Sequence, residues 1–328
     1  MSLRNILRRR GAGRIPLIDA ARGTALLAMF VFHITWDLSY FGYIDPQIVF
    51  TRAFSIFGDT IGSSFLAIAG ASLVLAHAGR FRPRAYLRHL AIIVVAAAAV
   101  SVATYVFIPD AFIFFGILHC IALATLIALP FLFLPWWAAV LAAALAIAAP
   151  RLFVSPAFDA PLWWWTGLST FEPRTNDYRP ILPWLGVLLC GLACMKIGDR
   201  FALRELLARW QPRNFVLRGI IFGGRHSLAI YLVHQPIFFG LVSLLATLAP
   251  PSGAAAEARF HASCRAQCEG AGQPQSLCGA VCSCIADGLR EEGSWPRAIA
   301  NQLQKDERER MAQTARSCLR EKRRLNEE

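Results

Sequence analysis

The chain has 328 residues, 56% hydrophobic and only 16% charged, with Lys plus Arg exceeding Asp plus Glu by 33 to 21. A soluble domain carries about a quarter charged residues, so this composition excludes an ordinary soluble enzyme. The net charge of +12 would suit a nucleic-acid binder, but the arginines sit in short links between apolar runs without any nucleic-acid-binding motif, so no such partner is expected.

Residues 1–14, MSLRNILRRRGAGR, hold five Arg and no acid. The apolar run that follows lacks a small-x-small cleavage site and reads as a retained first helix, not a signal peptide. Seven spans are expected, near 16–38, 56–78, 90–109, 111–134, 136–154, 181–198 and 226–248, because helices satisfy their own backbone in lipid. The expected fold class is all-α. A basic cytoplasmic segment (1–14) leads into a polytopic membrane helix bundle (15–250), and a cysteine-rich helical tail (251–328) follows. Arginine density in 1–14, 79–89 and 196–225 puts these segments on the cytoplasmic side of an inner membrane. The stretch 199–222 is too charged to span and reads as an amphipathic surface helix broken at Pro212.

The first span, IDAARGTALLAMFVFHITWDL at 18–38, carries Asp19, Arg22, His33 and Asp37. At ~100° per residue, His33 lies about 20° and both aspartates about 60° from Arg22. The four form one stripe, and charges in a span face a bundle interior or a water-filled cavity. The i,i+4 spacing of His33 and Asp37 lets a carboxylate orient the imidazole, as a general base or an acyl-accepting nucleophile requires. In that reading Arg22 and Asp19 form a supporting ion pair; the alternative is that His33 and Asp37 are a structural buried ion pair holding helices together. His119 and His234, in later spans, are further candidate bases.

Asn176, Asp177 and Tyr178 precede the sixth span, where they would meet an acceptor substrate or cap a helix. In GRHSLAIYLVHQP, residues 224–236, Ser227, Tyr231 and His234 recur on one face with Gln235 beside them. Ser227 could instead cap the helix, and Pro236 frees a carbonyl that neighbours must satisfy. Arg82, Arg84 and Arg225, all on the arginine-rich side, would attract a diphosphate or act only as topological charges.

Six of the nine cysteines fall in the tail. Cys264, Cys268, Cys278 and Cys282 form a twin Cys-x3-Cys, each pair on one helix face. Antiparallel helices would be bridged as Cys264–Cys282 and Cys268–Cys278, leaving Cys284 and Cys318 for a third bond. An odd number of spans places the tail on the periplasmic side, where disulfides persist. A zinc site including His261 is the alternative, though no metal is expected. Cys120, Cys190 and Cys194 lie in spans as small apolar packing residues.

The run RIPLIDAARGTALLAMFVFHITWDL resembles the opening of the heparan-alpha-glucosaminide N-acetyltransferase catalytic family, in its bacterial branch. FLAIAGASL (65–73), FGILHCIA (115–122), NDYRPILPWLGVLL (176–189) and GRHSLAIYLVHQP follow in the family's order. The resemblance covers residues 14–245 and implies transmembrane acylation: acetyl or another acyl group passes from cytoplasmic acyl-CoA (acetyl-CoA) to a saccharide or glycolipid amine or hydroxyl at the outer face. The active histidine of the family's animal member follows the first span, where this chain has none between Asp37 and His77. His33 therefore rests on its local pattern. A transporter using the polar stripe as a permeation path, a haem-binding electron carrier with paired membrane histidines, and a homologue that kept the fold without the chemistry are the alternatives.

Overall fold

The computed structural model of the protein describes residues 15–77, 81–249, 253–299 and 303–327; the basic segment 1–14 and Arg80 lie outside them. In chain order the helices are α1 (Pro16–Phe41), α2 (Arg52–His77), α3 (Pro83–Phe107), α4 (Ile117–Ala128, extended as a 3-10 turn to Leu132), α5 (Trp136–Leu152), α6 (Ile181–Gly198), α7 (Leu203–Arg209), α8 (Phe215–Arg225), α9 (Ser227–Leu248), α10 (Gly253–Gly270), α11 (Gln275–Glu291), α12 (Trp295–Ile299) and α13 (Lys305–Glu327). Among the described residues there is no strand. Among the described residues five helices, α1, α2, α3, α6 and α9, are long and apolar enough to cross a membrane, and α4 and α5 are shorter apolar helices. Each of the seven expected segments thus contains a helix, though the fourth begins only at Ile117 because residues 112–116 are not helical. The arginine link before α3 is itself helical from Pro83, whose fixed φ suits a first turn, so α3 starts earlier than the apolar run suggests. The charged stretch after α6 is broken around Pro212 as expected, with Asn214 Oδ1 accepting from Leu217 N–H at 2.8 Å to start α8.

The chain divides into two compact units: Met1–Met29 with Gly58–Val233, and Phe30–Phe57 with His234–Glu328. In the first, α6 is central, and Leu188, Leu189 and Leu192 are fully buried. Glycines let its neighbours come close. A Cβ on Gly191 would lie 2.1 Å from Ala67 O, one on Gly70 2.0 Å from Leu188 O, and one on Gly186 2.8 Å from Ala143 O. Such close backbone approach drives association where lipid removes the hydrophobic effect. Cys120 is buried, but Cys190 and Cys194 are exposed on α6. The expectation that all three pack internally fails for these two, because α2 and α5 dock on the glycine faces and leave the thiol face open.

Helix α4 is pinned at both ends. Asp177 Oδ2 accepts from Ile117 N–H at 2.8 Å. At the other end Lys196 Nζ donates to Phe131 O at 2.8 Å, Leu132 O at 3.1 Å, and Leu134 O. These two residues flank α6, so α4 with its 3-10 extension follows α6 from end to end. At ~1.5 and ~2.0 Å per residue it measures about 26 Å, close to the ~30 Å hydrocarbon core.

In the second unit, Leu277, Val281, Ile285 and Leu289 form one stripe of α11 that packs with Cys318 of α13. The disulfides are Cys264–Cys282, Cys268–Cys278 and Cys284–Cys318, with Cα separations of 5.8, 5.7 and 5.9 Å. These are the expected pairings, and they leave none of the six thiols for the zinc alternative.

Candidate functional site

The ionisable residues of α1 fall into two groups. In the first unit Asp19, 2% exposed, is shared by two guanidiniums: Arg22 Nη1 reaches Oδ1 at 3.2 Å and Arg225 Nε reaches Oδ2 at 3.3 Å. Arg22 Nη2 also donates to Ser72 Oγ, whose hydroxyl donates to Ile68 O. The contact depends on two glycines. A Cβ on Gly23 would lie 2.0 Å from Ile220 O, and one on Gly224 1.8 Å from Asp19 O. Only their absence brings α8 onto α1 and Arg225 onto Asp19. Two guanidiniums around one carboxylate leave a net positive charge, and the Arg225 side chain is 43% exposed, so the group can attract an anion. Arg82 and Arg84 are exposed at the start of α3.

The second group belongs to the second unit. The rings of His33 and His234 meet edge to face with centroids 4.8 Å apart. Phe30 and Phe238 wall His234 at 5.8 and 5.9 Å, and Phe32 lies against His33. Asp37 is 1% exposed. Its Oδ1 accepts from Gln235 Nε2 at 2.9 Å, so the amide facing it from α9 takes the carboxylate while His33 meets His234. Asp37 Oδ2 and Gln235 Oε1 are buried with no hydrogen-bond partner among the described residues. Buried acceptors of this kind are costly unless a donor reaches them, so the cluster suits a ligand that brings N–H or O–H groups.

Most of the remaining candidates make contacts within the fold. Asp177 caps α4, sixty residues away, and not the α6 that follows it. Gly116 precedes α4, and a Cβ there would lie 2.4 Å from Asp177 Oδ2. Burial raises the Asp177 carboxyl above its ordinary value, opposed by the Ile117 N–H and by Arg179. Arg179 bonds Asp59 at 2.9 Å and lies over the Trp184 ring. Asn176 N–H donates to Ala111 O at 3.0 Å, and Tyr178 OH to Trp164 O at 2.6 Å. His119 accepts the Gly116 N–H on Nδ1 at 3.3 Å, and its Nε2 lies 3.1 Å from Ser101 Oγ. Because the Ser101 hydroxyl donates to Ile113 O, the imidazole proton sits on Nε2, and both ring nitrogens are engaged. Ser227 opens α9, and Tyr231 packs against Leu118 and Ala122. No group of three or more His, Cys, Asp or Glu that could hold a metal exists among the described residues.

The family model for heparan-alpha-glucosaminide N-acetyltransferase, catalytic, matches residues 14–236. The chain belongs to this family. No curated protein and no solved structure matches it. The N-acetyltransferase match encloses both groups on α1 and ends one residue past Gln235, so the disulfide-bonded tail lies outside it. Within the N-acetyltransferase region, sequence reasoning missed Ser72, Arg179 and the crossing of Gly23 with Gly224. The one signal for the crossing was the mirrored Arg22-Gly23 and Gly224-Arg225.

Proposed function

We propose that the protein is a multi-pass inner-membrane acyltransferase that takes an acetyl or other acyl group from cytoplasmic acyl-CoA. The acceptor is a saccharide or glycolipid amine or hydroxyl at the outer face, where the tail is periplasmic. The observation that carries this proposal is the His33–His234–Asp37–Gln235 cluster, built around the buried Asp37 and His234, in a chain of the N-acetyltransferase family. Arg22 and Arg225 would attract the CoA phosphates, with Arg82 and Arg84 adding positive potential. At the His33 end, Asp37 Oδ2 and Gln235 Oε1 would hold the acceptor's N–H or O–H. His33 or His234 removes its proton as the acceptor atom attacks the thioester carbonyl. The C–S bond breaks, the acyl group joins the acceptor, and the proton leaves with CoA as its thiol.

The test is transfer of radiolabelled acetyl from acetyl-CoA to hexosamine by purified protein in nanodiscs, with release of CoA thiol read in parallel. A general base contributes typically 10²–10⁴-fold, so His33→Ala combined with His234→Ala should lower transfer by at least ~10²-fold. A double variant working at the wild-type rate, or a wild type that neither transfers label nor releases thiol, would overturn the proposal.

A further inference from the structure

Arg259 lies outside the His33 cluster, yet it reaches the helix that carries His33, and disulfides hold its own helix. Helix α1 ends in a Schellman turn: Tyr43 N–H bonds Leu38 O at 2.8 Å and Gly42 N–H bonds Ser39 O at 3.1 Å, with Gly42 at φ +85°. This motif leaves the Tyr40 carbonyl open. Arg259 of α10 fills it, with Nη1 donating to Tyr40 O at 3.2 Å and Nη2 to Ile299 O, at the end of α12, at 2.6 Å. Its charge also meets the negative end of the α1 dipole. A Cβ on Gly42 would lie 1.8 Å from Arg259 Nη1, so the glycine both makes the turn and admits the guanidinium. In the same turn the Tyr43 hydroxyl donates to Ala249 O at 2.7 Å, just past α9. One turn therefore ties together the outer ends of the helices that carry His33 and Asp37, and His234 and Gln235.

Helix α10 has little apolar surface with which to hold itself. It buries Ala256 and sets Phe260 against Trp295 at 5.0 Å. Cys264–Cys282 and Cys268–Cys278 bond it to α11, and Cys284–Cys318 bonds α11 to α13. Small helical segments with so small a core depend on such staples.

We propose that Arg259 is a positioning residue for the His33–His234 cluster and that the disulfide-stapled tail holds it there, so that reducing the tail releases the last turn of α1. A dithiol reductant supplies two electrons and two protons per bond, giving two cysteine thiols as it closes to its own disulfide. The effect on catalysis rests on the transferase reading; the clamp itself does not.

The test uses the full chain in nanodiscs as native protein, as dithiol-reduced protein, and as the variants Arg259→Ala, Arg259→Lys and Gly42→Ala. Hydrogen exchange at residues 38–43 is read beside acetyl transfer. A hydrogen bond from a charged donor corresponds to tenfold or more in an equilibrium. Exchange at 38–43 should therefore rise about tenfold on reduction, in Arg259→Ala and in Gly42→Ala, the last with its disulfides intact by mass spectrometry. In the same samples kcat should fall by a similar factor with the KM for acetyl-CoA unchanged, and Arg259→Lys should restore part of it. Unchanged exchange overturns the clamp whatever the activity, and raised exchange with unchanged kcat overturns the positioning role. A wild type that transfers no label defeats the transferase reading alone, since exchange still decides the clamp.

Discussion

Asp177 binds the first N–H of a helix sixty residues before it, and its carboxyl titrates above the ordinary 3.8 because burial outweighs the Ile117 N–H and Arg179. An acid whose pKa rises on folding holds its proton more tightly in the folded chain. Its contribution to stability is complete below the ordinary value and is lost as pH climbs through the raised one. Asn at this position keeps the acceptor without titrating. Wild type should therefore gain in melting temperature relative to Asp177→Asn as pH falls from neutral towards the ordinary 3.8. A constant difference would show that the carboxyl does not titrate there. Asp177→Ala removes the acceptor and should cost about 1–2 kcal/mol across that range. The sequence shows a capping residue at 177, but the helix it caps follows from chain packing that local spacing does not encode.

Two of the three glycines of helix α8 carry opposite expectations. A Cβ on Gly224 meets Asp19 O at 1.8 Å, whereas one on Gly219 meets nothing within 4 Å. Gly224→Ala should push α8 off α1, cost about 1–3 kcal/mol as overpacking, and draw Arg225 away from Asp19. The KM for acetyl-CoA should then rise several-fold. Gly219→Ala should stabilise by up to ~1 kcal/mol through helix propensity and leave that KM alone. Thermal unfolding with steady-state kinetics checks both, and equal effects at the two positions would refute the role of the crossing. Apolar runs made the membrane helices legible, and the Cys-x3-Cys spacing made the tail's bridges legible, because both are local periodicities. The stripe on α1 was legible as inward-facing: Asp19 and Asp37 are almost fully buried, while Leu27, Val31 and Ile34 are exposed. The partners of that stripe were not. Ser72 and Arg225 come from other helices, and what selects Arg225 is the absence of a Cβ at Gly23 and Gly224, which hydropathy does not register.

Sidedness is a property of the whole chain, and it turns on the two short helices α4 and α5. If both cross there are seven spans; if both turn back there are five. Either count is odd, so only the turn at 133–135 distinguishes them. We propose seven, because Lys196 binds the carbonyls of that turn from the arginine-rich end of α6, the end that the positive-inside rule assigns to the cytoplasm. Reporter cysteines at Phe133 and Phe171, both exposed, test this in a chain whose free thiols Cys120, Cys190 and Cys194 are replaced by Ala. The tail cysteines, being disulfide-bonded, do not react. An impermeant maleimide applied to right-side-out spheroplasts should label Phe171→Cys at once and Phe133→Cys only after permeabilisation. Labelling of Phe133→Cys from outside would mean that α4 and α5 do not cross, and that Lys196 meets their turn from the other face.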